Sequence, residues 1–212
     1  MKLKQFFLAF LLAFVCVHSF SQTKKDVVVG NADEVLKEMR SFSPEGPFKK
    51  SDYQGVVKTI VVTGEINEDQ LKEIARYFSE ILSTNGYYYD EADEYHYIEP
   101  KDRGIISANL DLSKTNGLNK IPERAFREAL SLKTIILPNE ITEIENSAFD
   151  SCVFLESIII PNSVTQIGKY AFSGCKSLKT IYYAVTKEQW RKIQIAENNE
   201  TLLQADIEFI NL

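Results

Sequence analysis

Apolar positions in the second half of the chain follow neither the period of a strand nor that of a helix. In "SVTQIGKYAFSGC" (163–175) they are Val164, Ile167, Tyr170, Ala171, Phe172 and Cys175. Strict alternation would mark a half-buried strand and a 3.6-residue stripe an amphipathic helix; this spacing is neither. Self-similarity explains it. The segments "LNKIPERAFREALSLKTIILPNE" (118–140), "ITEIENSAFDSCVFLESIIIPNS" (141–163) and "VTQIGKYAFSGCKSLKTIYYAVT" (164–186) align without a gap at a constant 23 residues. The recurring positions are Ile121, Ile144 and Ile167; Ala125, Ala148 and Ala171; Phe126, Phe149 and Phe172; Leu132, Leu155 and Leu178; Ile135, Ile158 and Ile181. A fixed period of this size is the mark of a solenoid, in which one turn cannot bury its apolar side chains alone and stacked turns share a core.

Within each turn "LKTIIL", "LESIII" and "LKTIYY" fit L-x-x-I-x-[LIY], the strand part of a leucine-rich repeat, and successive strands pair in parallel about 4.8 Å apart. The "AF" segment turns the corner with Phe as the large filler, and Pro138 and Pro161 end the strands because proline lacks a donor for the ladder. The predicted fold class is α/β: a short leucine-rich-repeat solenoid of 23-residue turns with a parallel sheet on one face. An N-terminal strand-helix-strand cap and a C-terminal helix/strand cap close its ends.

The unit "IPNSVTQIGKYAFSGCKSLKTI" resembles the BspA-type leucine-rich repeat of bacterial surface and secreted proteins, with its L-P-x-S-[VL]-T-x-I-G-x-x-A-F-x-x-C-x-x-L pattern. The resemblance extends loosely over residues 56–209 and is best over 118–183. It departs from plant and animal leucine-rich repeats, whose turn carries a buried Asn after the strand; Glu140, Ser163 and Thr186 stand at that place here. The resemblance implies a non-enzymatic module that binds a protein or glycan partner, as in adhesion at a bacterial surface. A self-assembling structural component of the envelope is the alternative, and a hydrolytic or metal-dependent enzyme a third reading.

The flanks read as caps. Asn67 with Gln70 has capping-box spacing, Leu71, Ile74, Phe78 and Ile81 form one apolar helix face, and Asn85-Gly86 stops it. Thr186 with Gln189 repeats the spacing downstream, where Trp190 and Ile193 are expected over the last turn. Asn31 with Glu34 signals a short helix in "NADEVLKEM", and "SFSPEGPFKKSD" reads as loop. The expected division is 1–21 signal peptide, 22–55 a partly mobile N-terminal segment, 56–117 N-terminal cap, 118–186 three repeats and 187–212 C-terminal cap.

"MKLKQFFLAFLLAFVCVHSFSQ" carries two lysines, an apolar run from Phe6 to Val17 and small residues at Ser19 and Ser21, the layout of a secretory signal cleaved after one of those serines. Two other readings stay open, a retained anchor and a lipoprotein attached at Cys16. Export to the periplasm, the cell surface or the medium is the expectation, with no stable membrane span once the signal is removed. Loss of Lys2 and Lys4 would make the chain more negative than its formal −6, which argues against a nucleic-acid partner. Composition does not set the oligomeric state.

Chemistry-bearing residues are sparse. The only histidines are His18 and His96, and no catalytic, cofactor-binding or metal residues are assigned; no cofactor is expected. "YYYDEADEYHYIEPKD" (87–102) gathers Asp90, Glu91, Asp93 and Glu94, which read as a solvated acidic loop or as oxygens for calcium, although the spacing is not that of an EF-hand. Cys152 and Cys175 share a repeat position with Ala129, a small stacked core site where free thiols and a disulfide are both open. The candidate site is the strand face. Between the core residues of L-x-x-I-x-[LIY], outward positions read Ser113, Ile136, Ile159 and Tyr182, beside Asp111, Thr134, Ser157 and Thr180. Ile136, Ile159 and Tyr182 are the candidate apolar centre of a partner site, with Thr134, Ser157 and Thr180 at its edge.

Overall fold

A repeat that carries one strand, one two-residue strand and one Phe-bearing turn can close a coil, and the chain does so. The computed structural model describes residues 27–41, 58–81, 87–89, 95–97 and 108–210. The main sheet is wholly parallel and runs β1 (Val27–Gly30), β2 (Lys58–Glu65), β5 (Ala108–Asn116), β7 (Leu132–Ile136), β9 (Ser157–Ile160), β11 (Thr180–Ala184), β13 (Asp206–Ile210). A second parallel sheet stacks two-residue strands: β6 (Lys120–Ile121), β8 (Glu143–Ile144), β10 (Gln166–Ile167) and β12 (Gln194–Ile195). β3 (Tyr87–Tyr89) and β4 (Tyr95–Tyr97) form a separate antiparallel pair. The leucine-rich-repeat solenoid expected from the sequence is the fold observed.

Register gives the period directly. Thr134 lies beside Ser157 and Ser157 beside Thr180, so that strand pairing keeps the same interval as the sequence repeat. The interval widens at both ends, where Asn109 pairs with Thr134 and Thr180 with Asp206. The inward row Val28, Ile60, Leu110, Ile135, Ile158 and Ile181 belongs to one continuous core with Ile121, Ile144 and Ile167 from the second sheet.

The third side is a stack of Phe rings. Phe126, Phe149 and Phe172 are fully buried, with adjacent centroids 5.1 Å apart and rings near parallel, at 5° and 14°. Their backbone forms a ladder of its own: Phe126 N–H donates to Ala148 O and Phe149 N–H to Ala171 O. Each corner needs two left-handed residues, supplied at Arg124, Ser147 and Tyr170 and at Glu128, Ser151 and Gly174. Only the last position holds glycine, the residue free of the steric penalty there. Cys152 and Cys175 are buried free thiols that donate to Phe126 O at 2.9 Å and Phe149 O at 3.1 Å. Burial pushes the Cys152 thiol well above the usual range.

Both ends of the core are covered by other structure. α1 (Ala32–Ser41) and α2 (Glu68–Arg76) begin at Asn31 and Asn67, whose side-chain oxygens accept from the backbone N–H of Glu34 and Gln70 and whose backbone N–H groups donate to the side chains of those residues. α2 then widens into a π turn over Tyr77–Ile81. Sequence periodicity places Phe78 inward; the wider turn buries Tyr77 as well, at 3% exposure, and lifts its phenol to about 12 by desolvation. Ser131 of the first repeat ties down this turn, its hydroxyl donating to Phe78 O at 2.7 Å. β1, which the sequence does not signal, adds an edge strand beyond β2.

At the far end Thr186 accepts from Gln189 N–H to start α3 (Lys187–Trp190), and Trp190 packs edge-on against Tyr183 at 5.2 Å, with Ile193 buried beside the core. α4 (Glu200–Gln204) leads into β13. Asn199 occupies the N-cap position of α4 without capping it. Its buried side chain instead accepts from Phe172 N–H at 2.9 Å and donates to Gly168 O and Ala196 O, each at 2.9 Å. The amide oxygen thus stands where the carbonyl of a further turn would be.

The signal-like segment with Cys16 and His18, and the acidic residues Asp90, Glu91, Asp93 and Glu94, lie outside the described residues. Among the described residues no helix is long and apolar enough to cross a membrane, and no group of three or more His, Cys, Asp or Glu could hold a metal ion.

Candidate binding groove on the strand face

Alternation along each strand sends every second side chain away from the core. Two rows therefore cross the outer face of the main sheet. One reads Asn109, Thr134, Ser157, Thr180 and Asp206, and the other Asp111, Ile136, Ile159, Tyr182 and Glu208. Ser113, expected opposite Ile136, is not there: the longer interval between β5 and β7 brings Asp111 to that place. Asp111 is itself buried and accepts from Ser113 N–H at 2.8 Å.

The six candidate residues do share one face, but unequally. Ile136 and Tyr182 are half-buried, whereas Ile159 is only 6% exposed, sealed between its two neighbours in the row. It is not part of the main core, so the row forms a small apolar seam of its own. Thr134 is likewise covered, and its hydroxyl lies 3.3 Å from that of Ser157, so that a nearly buried polar group keeps a partner.

A groove of about 350 Å³ opens over the polar row. Its floor is Asn109, Thr134, Ser157 and Thr180, Tyr182 stands on one side, and Lys133, Glu156 and Lys179 form the other. The backbone that carries this wall is pinned turn to turn, Glu156 N–H donating to Lys133 O at 2.8 Å and Lys179 N–H to Glu156 O at 2.9 Å. Lys133 and Glu156 pair at 3.6 Å, both well exposed. The Tyr182 phenol is held above its usual range, first by burial and then by the Glu208 carboxylate across the sheet. Lys133, Glu156 and Lys179 occupy one position in the three repeats, so the wall is visible in the same alignment that reveals the rows. Asn109 is not, because it lies outside the regular register.

The arrangement offers hydrogen-bond donors and acceptors at one-strand intervals, an aromatic ring beside them, and paired charges.

Residues 108–202 match the family model described as BspA type leucine rich repeat region, in 6 copies. The match covers just under half of the chain, and it begins before and ends beyond the three regular repeats. No curated protein matches the chain. Among solved structures it is similar to a leucine rich cell surface protein from Faecalibacterium prausnitzii A2-165, with 27% identity over 51% of this chain and 40% of that one and a TM-score of 0.36. A leucine-rich repeat protein from Bacteroides ovatus ATCC 8483 aligns at 19% identity over 74% of this chain and 37% of that one, with a TM-score of 0.34. The matched region spans well under half the length of either protein.

Proposed function

We propose that this protein is an exported, non-enzymatic binding module whose strand face captures a protein or glycan partner at the bacterial envelope. The observation that carries the reading is the groove itself: a concave, polar-floored site built from equivalent positions of successive BspA-type repeats, with an aromatic ring at its side. Rigid repeats that present one periodic face suit extended recognition surfaces. Export rests on the charged, apolar and small-residue layout of residues 1–21.

The test is capture from envelope and host extracts by the immobilised chain beside the double variant Ile136→Ser/Tyr182→Ser. Ile159 is left intact because it is sealed. The expected result is loss of captured material with the circular dichroism spectrum unchanged; undiminished capture would move the site off this face. Intact-mass analysis of envelope protein should find a chain beginning at Phe20 or Gln22, and an unprocessed Met1 would remove the export part of the reading.

A second reading, self-assembly, draws on β13, which ends the main sheet without a further strand beside it among the described residues. An open strand edge is a template for another chain. Sedimentation that stays monomeric across a wide concentration range would exclude it.

A further inference from the structure

We infer that the strand-face groove binds a neutral glycan chain laid across the strands, not a polypeptide. The inference rests on the strand-face reading above and adds the chemical class of the occupant.

Size comes first. At about 350 Å³ the groove lies in the range of small-ligand sites, roughly 300–1,000 Å³. A standard protein interface instead covers about 800 Å² on each partner and is anchored by Trp, Tyr and Arg clustered at its centre. Tyr182 is the one aromatic residue lining this groove and no Arg lines it. The apolar seam that could widen the contact is closed at Ile159.

Backbone geometry argues against a peptide as well. Peptides join sheets by adding a strand to an edge, where main-chain groups are unpaired. The groove lies on the face of β7, β9 and β11, whose main-chain groups pair with neighbouring strands on both sides. What it offers a ligand is side chains only: the amide of Asn109 and the hydroxyls of Ser157 and Thr180, able to donate and to accept, while the buried Thr134 hydroxyl stays paired with Ser157 beneath them. Successive floor positions are one strand spacing apart, about 4.8 Å. A polyol chain, whose every unit carries hydroxyls that also donate and accept, meets that pattern unit by unit.

Charge selects among glycans. The wall alternates Lys133, Glu156, Lys179, with Lys133 and Glu156 already paired, and Asp206 follows Thr180 in the floor row. Along an alternating wall a chain with the same charge on every unit meets like charge somewhere, carboxylates at Glu156 and ammonium groups at Lys133 and Lys179. A neutral chain avoids both conflicts. Tyr182 then supplies an aromatic ring for the C–H face of a sugar.

The experiment is isothermal titration calorimetry of the full mature chain against neutral hexasaccharides: α-1,4-glucan, β-1,4-glucan, β-1,3-glucan, β-1,4-linked N-acetylglucosamine and α-1,6-mannan. Hexagalacturonate is the acidic comparison. At least one neutral chain is expected to bind, and to bind more tightly than hexagalacturonate. Thr180→Val, which removes a hydroxyl at constant shape, should weaken it about 2- to 10-fold. Tyr182→Ala should abolish measurable heat, with Tyr182→Phe retaining most of the affinity. Circular dichroism and the thermal midpoint of each variant establish that it is folded. Binding that ignores both Thr180→Val and Tyr182→Ala would overturn the assignment to this groove. Preference for hexagalacturonate would overturn neutrality. If none of the neutral chains binds while Ile136→Ser/Tyr182→Ser still loses capture from extracts, the glycan inference falls and the strand-face reading stands.

Discussion

Replacing Asn199 should unfasten the C-terminal end of the solenoid. In the interior each Phe N–H finds a carbonyl one turn further on, but no turn follows Phe172, and the Asn199 amide substitutes for it. Asn199→Ala leaves Phe172 N–H and Gly168 O without this partner in a site that is 1% exposed. Each orphaned buried group costs about 1–3 kcal/mol, so the change should destabilise by about 2–5 kcal/mol. Asn199→Asp is the sharper variant. It keeps the acceptor for Phe172 N–H but loses the amide donors and sets a carboxylate against the carbonyls of Gly168 and Ala196. A protonated carboxyl regains one donor. The folded-state pKa of the new group is therefore raised above its unfolded value of about 3.9. Its stability is full below that value and declines as pH rises through the folded pKa. Urea titration followed by far-UV circular dichroism reads the whole array, while fluorescence of Trp190, the sole tryptophan, reads the cap. Local fraying should shift the fluorescence midpoint first, because terminal turns contact a neighbour on one side only. An Asn199→Ala protein within about 0.5 kcal/mol of the parent would refute the capping role.

Other perturbations test separate parts of the stack. Phe149→Ala should cost about 3–5 kcal/mol, and exceed Phe126→Ala or Phe172→Ala by about 0.5–1.5 kcal/mol because Phe149 has a ring neighbour in the stack on both faces; equal urea midpoints for all three would contradict this. Glu128→Gly relieves a left-handed residue at φ 57° and should stabilise by about 0.5–1 kcal/mol after the entropy cost of glycine is offset, whereas Gly174→Ala, at φ +71° and 3.3 Å from Ser151 Cα, should destabilise. The raised Tyr77 phenol contributes stability that is full below pH 10 and lost as pH rises towards about 12; Tyr77→Phe should flatten that alkaline limb in denaturation at fixed urea. Glu145, held below the usual carboxylate range first by its hydrogen bond from Lys120, contributes stability present above pH 4.5 and lost as pH falls through its folded value, so Glu145→Gln should blunt the acid limb.

What could be read from the sequence was whatever repeated. The Phe, Ile, Leu and Ala positions recur because each turn meets the same neighbours, and the capping boxes at Asn67 and Asn31 are local signals that need no tertiary knowledge. Features at the ends were not legible for the opposite reason. Asn199 matters only because the array stops at Phe172, and a buried amide there has no local signature. The place of Asp111 opposite Ile136 follows from the longer interval between β5 and β7, which extrapolation of the regular spacing misses. The π turn at Tyr77–Ile81 adds a second buried aromatic where an unbroken helix would place one. Half of the groove was legible on the same principle: the floor residues of β7, β9 and β11 and the wall repeat, whereas Asn109 and the sealing of Ile159 depend on the packed sheet.

The identical register between β7, β9 and β11 has a consequence for how such a chain changes over generations. Unequal exchange between any two equivalent points in these turns inserts or deletes one whole layer. Every ladder then resumes in phase: strand to strand, Phe to Phe, thiol to Phe carbonyl. The wider intervals at β5 and β13 lie outside this exchange and mark the terminal pieces that cannot be shuffled. Array length is thereby free to vary under selection while each end keeps its own closure, and the groove lengthens by one floor residue and one wall residue with each added layer.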